Sequence, residues 1–299
     1  MTPRLNLRER LIDPKSPDRR PRRAAYALPT LFTAGNLFMG YIAILKSVEG
    51  ALWASAGNLG SNPHWEIAAK VIGLSVFFDG LDGRIARLTN TTSEFGRELD
   101  SLADVISFGI APAVLAFVWG FQFVDPAAPA GLRNSLLQAG YFVLFMFLCC
   151  GAMRLARFNI TTNAVPSNPG PRDRKYFVGL PIPAAAGIVA AVIYATDSVP
   201  LRWWPATAAW TALAALLSFL MVSTWRYRSF KDFNLVSPRS PRSLIVLAFV
   251  IYIIWNFSKP VLLVLSVYYV GSGIAVRLGG LFRRLFSSSK PQNPQQQAG

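Results

Sequence analysis

Apolar runs recur eight times along this chain, near residues 28–47, 65–88, 98–123, 134–157, 180–196, 205–224, 243–256 and 260–276. About 20 such residues span the hydrocarbon core of a bilayer, and there every backbone N–H and C=O must be bonded within its own helix or in a closed barrel. Runs of this length predict helices, and the chain as a whole an all-α, polytopic transmembrane bundle. The composition agrees, with 53% hydrophobic and 15% charged residues, where soluble domains carry about 25% charged. The 243–256 run is short for a span. Only Asn256, Phe257, Ser258 and Lys259 separate it from the next run, so this pair could instead be re-entrant or tightly turned.

Short cytoplasmic loops are enriched in Lys and Arg, so the basic residues set the orientation. Arg4, Arg8, Arg10, Lys15, Arg19, Arg20, Arg22 and Arg23 precede the first run and place the N-terminus in the cytoplasm. The loop from Ser47 to Pro63 has no Lys or Arg, whereas Arg84, Arg87 and Arg97 mark the next one. Arg133 then stands alone, Arg154, Arg157, Arg172, Arg174 and Lys175 cluster, Arg202 stands alone, and Arg226, Arg228, Lys231, Arg239 and Arg242 cluster again. Lys259 outside and Arg277, Arg283, Arg284 and Lys290 inside complete eight spans with both termini cytoplasmic. The expected location is the bacterial inner (cytoplasmic) membrane. The net charge of +15 then reflects a basic rim that attracts anionic headgroups, and calls for no nucleic acid. The segment before Tyr26 lacks the apolar core and cleavage site of a secretory signal. The organisation expected is a basic cytoplasmic segment over 1–25, a transmembrane domain over 26–280 and a disordered cytoplasmic tail over 281–299, rich in Ser, Pro and Gln.

Cys149 and Cys150 are neighbours in one apolar helix and cannot face a common partner, so neither a disulfide framework nor a metal site follows. They read as lipid-facing or packing residues. His64, the single histidine, opens the second run beside Trp65 and reads as an interfacial anchor, roughly 20 Å of helix away from the nearest acid of interest.

Four aspartates stand where a membrane should reject them. Residues 79–104 read DGLDGRIARLTNTTSEFGRELDSLAD, and a carboxylate at membrane depth costs roughly 2.5–3.5 kcal/mol on insertion scales. Asp79, Asp82, Gly83 and Ala86 fall at i, i+3, i+4 and i+7, one stripe of a helix, and Gly96, Asp100 and Asp104 form a second stripe. The polar turn between them makes the two helices antiparallel neighbours, so the four carboxylates can converge at the cytoplasmic end. All the ligands are oxygen and no His or Cys is at hand, which suits a pair of Mg²⁺ or Mn²⁺ ions. Gly83, Ala86 and Gly96 leave a small-walled gap that serves either close helix packing or ligand access.

These residues carry a resemblance. The pattern D-x2-D-G-x2-A-R-x8-G-x3-D-x3-D is complete in Asp79, Asp82, Gly83, Ala86, Arg87, Gly96, Asp100 and Asp104, and it is similar to the signature of the CDP-alcohol phosphotransferases. Within them the flanking stretches LPTLFTAGNLFMGYIAI (28–44), ELDSLADVISFGIAPA (98–113), GAMRLARFNI (151–160) and YFVGLPIPAAAG (176–187) resemble the integral-membrane phosphatidylserine synthases. The likeness covers residues 26–195 well, and the final third matches only in being hydrophobic. It implies a six-helix core, here with about two additional C-terminal helices, a two-metal site near the cytoplasmic surface and a homodimer. It also implies transfer of a phosphatidyl group from CDP-diacylglycerol to the hydroxyl of L-serine, with release of CMP.

By the same resemblance Asp79, Asp82 and Asp100 hold the metals, and Asp104 completes the second site and takes the proton of the serine hydroxyl. Phosphoryl-type transfer needs a neutralised diphosphate, an in-line attack and a base; two metals meet the first two needs. An ordinary aspartate is a weak base, so the metals and the departing CMP are expected to lower the barrier as much as Asp104 does. Arg87 is expected to position the nucleotide or its phosphates, with Gly83 and Ala86 permitting the approach, while Arg84 serves topology. Thr33 and Asn36 look like the family's polar contact to the CDP moiety, although a buried Asn can equally bond a neighbouring helix. Arg154, Arg157 and Asn159 lie at the depth of the metals, and a guanidinium fork suits the serine carboxylate or the donor phosphate. Other acceptors, namely glycerol 3-phosphate, inositol phosphate or choline, are the nearest alternative. A divalent-cation transporter is the non-enzyme one, disfavoured by acids gathered at one end with no matching second set.

Overall fold

Asn62 starts the first hairpin of the bundle. Its side-chain carbonyl accepts the backbone N–H of His64 (3.1 Å) and its amide donates to Gly50 O (2.8 Å), so it caps the helix that Pro63 opens and ties it to the preceding one. These helices are α1 (Arg23–Ser55) and α2 (Pro63–Thr89). They run antiparallel: Trp65 Nε1 donates to Ser47 O (3.1 Å) at one end, and the Phe32 and Phe78 rings meet at 6.1 Å towards the other. The computed structural model describes residues 23–89, 94–125, 127–163, 176–228 and 258–287. The basic segment up to residue 22, the 243–256 run and the tail beyond 287 lie outside the described residues.

A second rod comprises α3 (Glu94–Asp104), a π-helical stretch over Val105–Ile110 and α4 (Ala111–Gly120). Pro112 has no N–H to give to the carbonyl four residues earlier, and its ring crowds that carbonyl, which is a physical reason for the helix to widen just ahead of it. Then come α5 (Ala130–Asn163), β1 (Tyr176–Val178), α6 (Ile182–Ala195), α7 (Trp204–Val222), β2 (Arg226–Arg228) and α8 (Ser258–Ser287). The two short strands pair antiparallel with Phe177 opposite Tyr227, a small ribbon among described elements that are otherwise helical. Gly179, at φ +78°, turns the chain from β1 into α6, where a Cβ would stand 2.5 Å from Met221 O. Only glycine meets both demands.

Among the described residues four helical stretches are long and apolar enough to cross a membrane: Thr30–Ser55, Glu94–Gly120, Gly131–Ile160 and Trp204–Val222. The chain is an integral membrane protein with a polytopic helical bundle. Its centre is apolar, with Trp119 packed edge-on against Trp210 (4.9 Å between rings) and Leu115, Ile182, Ile193 and Leu217 fully buried around them. Glycines admit the large side chains: a Cβ on Gly120 would meet the Trp210 ring at 2.4 Å, and one on Gly50 the Trp65 ring at 2.3 Å. This is helix packing by close approach rather than by water exclusion. Helix α8 continues through Ser287, so the tail boundary expected at residue 280 falls inside a helix. The pattern GLFRRLFS keeps supplying apolar residues at helical spacing past that point.

Candidate active site

Asp79 comes from α2, Asp100 and Asp104 from α3, and one carboxylate oxygen of each lies within 4.8 Å of the other two. The i, i+4 spacing of Asp100 and Asp104 puts both on one face of α3, and α2 brings Asp79 against it. Asp104 is buried and the other two are half-buried. Three like charges so close repel strongly in a poorly screened site, and a hard cation bound by oxygens offsets that repulsion. The donor set suits Mg²⁺ or Mn²⁺, with no nitrogen or sulfur in the cluster to favour a softer metal. Asp82 lies one helical turn beyond Asp79 on α2. Its side chain, and those of Gly83, Ala86 and Arg87, fall outside the described set.

Helix α1 fixes the buried acid. Asn36, fully buried, donates from Nδ2 to Asp104 Oδ1 at 3.2 Å. One turn further on, Gly40 lets the π-helical stretch come so close that a Cβ would stand 2.4 Å from Ser107 Oγ and 2.8 Å from Ser107 Cα. The Ser107 hydroxyl returns to α1 by donating to Asn36 O (2.8 Å). Asn36 therefore bonds a neighbouring helix, and the helix it bonds carries the candidate base. Thr33, one turn before Asn36, is also buried. Sequence reasoning missed Gly40 and Ser107. Their signal was available as a glycine at i+4 from the buried Asn and a hydroxyl at i+3 from the acid.

The end of α5 closes the other side. Asn159 Nδ2 donates to Ser101 Oγ (2.8 Å), and that hydroxyl donates to Arg97 O (3.0 Å), which pins α5 to α3 between the two acids. Arg154 is half-buried and interacts electrostatically with both Asp104 and Tyr269 of α8. Arg157 is exposed, so of the three residues singled out on this helix Arg154 alone has a described interaction with the acid cluster. Gly96 stands half-buried in the first turn of α3. Cys149 and Cys150 are free and half-buried. His64 Nδ1 lies 3.0 Å from Glu49 Oε2 and the ring sits 5.8 Å from the Trp53 ring, at the opposite end of the α1–α2 hairpin.

A buried carboxylate oriented by an amide, clustered with two further acids at one end of a membrane bundle, is the arrangement of a metal-dependent transfer site. The family model described as CDP-alcohol phosphatidyltransferase matches residues 26–222. This chain belongs to that family. It is therefore a transferase, and the divalent-metal requirement of the CDP-alcohol phosphatidyltransferases agrees with the acid cluster. Among curated proteins it is 37% identical to the CDP-diacylglycerol–serine O-phosphatidyltransferase of Helicobacter pylori over 212 residues, 71% of this chain and 76% of the relative. It is 38% identical to the protein of the same name from Saccharomyces cerevisiae over 160 residues, 53% of this chain and 50% of that one. The archaetidylserine synthase of Methanothermobacter thermautotrophicus is 36% identical over 162 residues, 54% of each chain.

Proposed function

We propose that the chain transfers a phosphatidyl group from CDP-diacylglycerol to the hydroxyl of L-serine, giving phosphatidylserine and CMP. The observation that carries this reading is the approach of Asp79, Asp100 and Asp104 to within 4.8 Å in a chain so similar to serine phosphatidyltransferases. In the reaction the serine hydroxyl oxygen bonds to the phosphorus that bears the diacylglycerol, the bond from that phosphorus to the CMP oxygen breaks, and the hydroxyl proton passes to Asp104. Asn36 holds the plane of the Asp104 carboxylate so that this proton has a fixed destination. Asp79, Asp82, Asp100 and Asp104 would hold Mg²⁺ or Mn²⁺, two ions by family expectation, and bound metal supplies neutralisation of the diphosphate. Arg87, with Gly83, Ala86 and Gly96 leaving room, positions the nucleotide, and Thr33, buried on α1, is a further polar contact for the CDP moiety. Arg154 takes an anionic group of the substrates, Asn159 keeps α5 in place, and Arg157 is exposed on the same helix.

The distribution of basic residues supports a cytoplasmic active site with both termini on that side, the bacterial inner membrane as location, and a transmembrane domain that starts near residue 26. A homodimer is part of the same proposal. The test is purified protein in detergent with Mn²⁺, CDP-diacylglycerol and labelled acceptors. CMP release that depends on serine supports the reading. Release with glycerol 3-phosphate, inositol phosphate or choline in place of serine reassigns the acceptor, and no release with any alcohol sinks the enzyme.

A further inference from the structure

The C-terminal helix α8 lies beyond the residues that the family model matches, yet its Tyr269 interacts with Arg154. Tyr269 of α8 and Asp104 of α3 both interact electrostatically with Arg154, so the guanidinium is near enough to feel both the candidate base and a phenol. The Nε–H of Arg154 is buried and has no acceptor among the described residues. Next to Tyr269, with ring centroids 5.9 Å apart, is Tyr227 of β2. Tyr227 is fully buried and its hydroxyl likewise has no hydrogen-bond partner among the described residues. The contact is built in: a Cβ on Gly273 would stand 2.1 Å from the Tyr227 ring, so α8 carries a glycine where that ring lies against it. Buried donors are normally satisfied, and an orphaned Arg154 Nε–H together with an orphaned Tyr227 hydroxyl, linked through Tyr269, describes a place that an anion completes.

We propose that Tyr269 and Tyr227 complete the acceptor pocket, setting the position of Arg154 and offering their hydroxyls to the carboxylate of the amino-acid acceptor. The proposal rests on the serine reading above. A guanidinium fork matches carboxylate and phosphate alike, and with the diphosphate assigned to the metals the carboxylate is the anion left for Arg154. In serine, hydroxyl and carboxylate are separated by two carbons, which fits a hydroxyl at Asp104 and a carboxylate at its neighbour Arg154. The pocket gives α8 and the β1–β2 ribbon a task in acceptor selection.

The test uses the full-length protein in detergent with Mn²⁺, and measures kcat and the KM of each substrate for wild type, Tyr269→Phe and Tyr227→Phe. Phenylalanine keeps the ring packing and removes only the hydroxyl. The expected result is a rise in the KM for serine of roughly tenfold for either variant, one hydrogen bond to a charged group, with kcat and the KM for CDP-diacylglycerol within about twofold of wild type. An unchanged serine KM in both variants overturns the proposal. So does a rise confined to the CDP-diacylglycerol KM, which would place the hydroxyls on the donor, or an equal rise in both, which would be a packing effect. Wild type that releases no CMP with serine refutes the underlying reading instead, and the two failures are distinguishable.

Discussion

Asp79 and Asp100 show what a membrane chain accepts in order to do chemistry. Each carboxylate is unfavourable where it stands, and their approach to Asp104 within 4.8 Å is a repulsion that a bound cation would offset. Asp79→Asn and Asp100→Asn should each lower turnover by at least about 100-fold, the scale of losing a transition-state electrostatic group, in protein that still elutes as a folded species. Near-normal activity in either would refute their assignment. Chelation with EDTA should abolish CMP release and added Mn²⁺ or Mg²⁺ restore it; activity indifferent to EDTA would remove the metal from the mechanism. Asn36 acts one step further out, through Asp104. Asn36→Ala should cost about 10- to 100-fold in activity, as loss of an orienting partner commonly does at metal sites, and the pH–rate profile should shift because the hydrogen bond to Asp104 is lost. An unaltered profile with unaltered kcat would make Asn36 a packing residue.

Elements matter here through how closely they approach. Helix α1 meets the π-helical stretch after Asp104 at Gly40, where even a methyl group collides with Ser107 Oγ and Cα. Gly40→Ala should therefore destabilise by about 1–3 kcal/mol through overpacking and reduce kcat, because the displaced backbone carries Asp104. Thermal unfolding in detergent and turnover read the two effects. A variant with wild-type melting and wild-type kcat would show that the helices tolerate the shift. The boundaries of α3 and α4 follow the same logic. An apolar run with a proline near its middle reads as one span, and Pro112 leaves its mark as π-helical widening at Val105–Ile110. That widening changes which side chains face α1 immediately beyond the acid. A 3.6-residue pattern cannot foresee it.

At the scale of the whole molecule the two ends of the bundle divide the work. The acids, Arg154 and the tyrosines of α8 and β2 gather at one end. At the other, the Lys70 and Lys259 ammoniums approach the Tyr194 ring at 5.3 and 5.5 Å, Tyr194 and Ser258 hydroxyls share a 2.7 Å hydrogen bond, and Lys259 pairs with Asp197 while Lys70 pairs with Glu66. Each cation already has its carboxylate, so this cluster fastens α2, α6 and α8 together and leaves no charge for a ligand. Tyr194→Leu should lower stability by about 1–3 kcal/mol, from two cation–ring contacts and one hydrogen bond, while kcat and the serine KM stay at wild-type values below the melting temperature. A raised KM with unchanged melting would mean that the far end communicates with the site.

The sequence by itself determined the fold class and the acids. Apolar length dictates helices because a bilayer offers the backbone no water, and a carboxylate in such a run signals a partner whatever the tertiary arrangement. The spacing of Asp100 and Asp104 shows their shared face because helical geometry is local. Four things were decided only by the tertiary structure: the pairing of Asn36 with Asp104, the Gly40–Ser107 approach, the separation of Arg154 from exposed Arg157, and the arrival of Tyr269 beside Arg154. Three of these join residues tens of positions apart and the fourth depends on which face of α5 its neighbours cover; which helix lies against which follows from the sum of side-chain shapes along every interface, not from any periodicity within one helix.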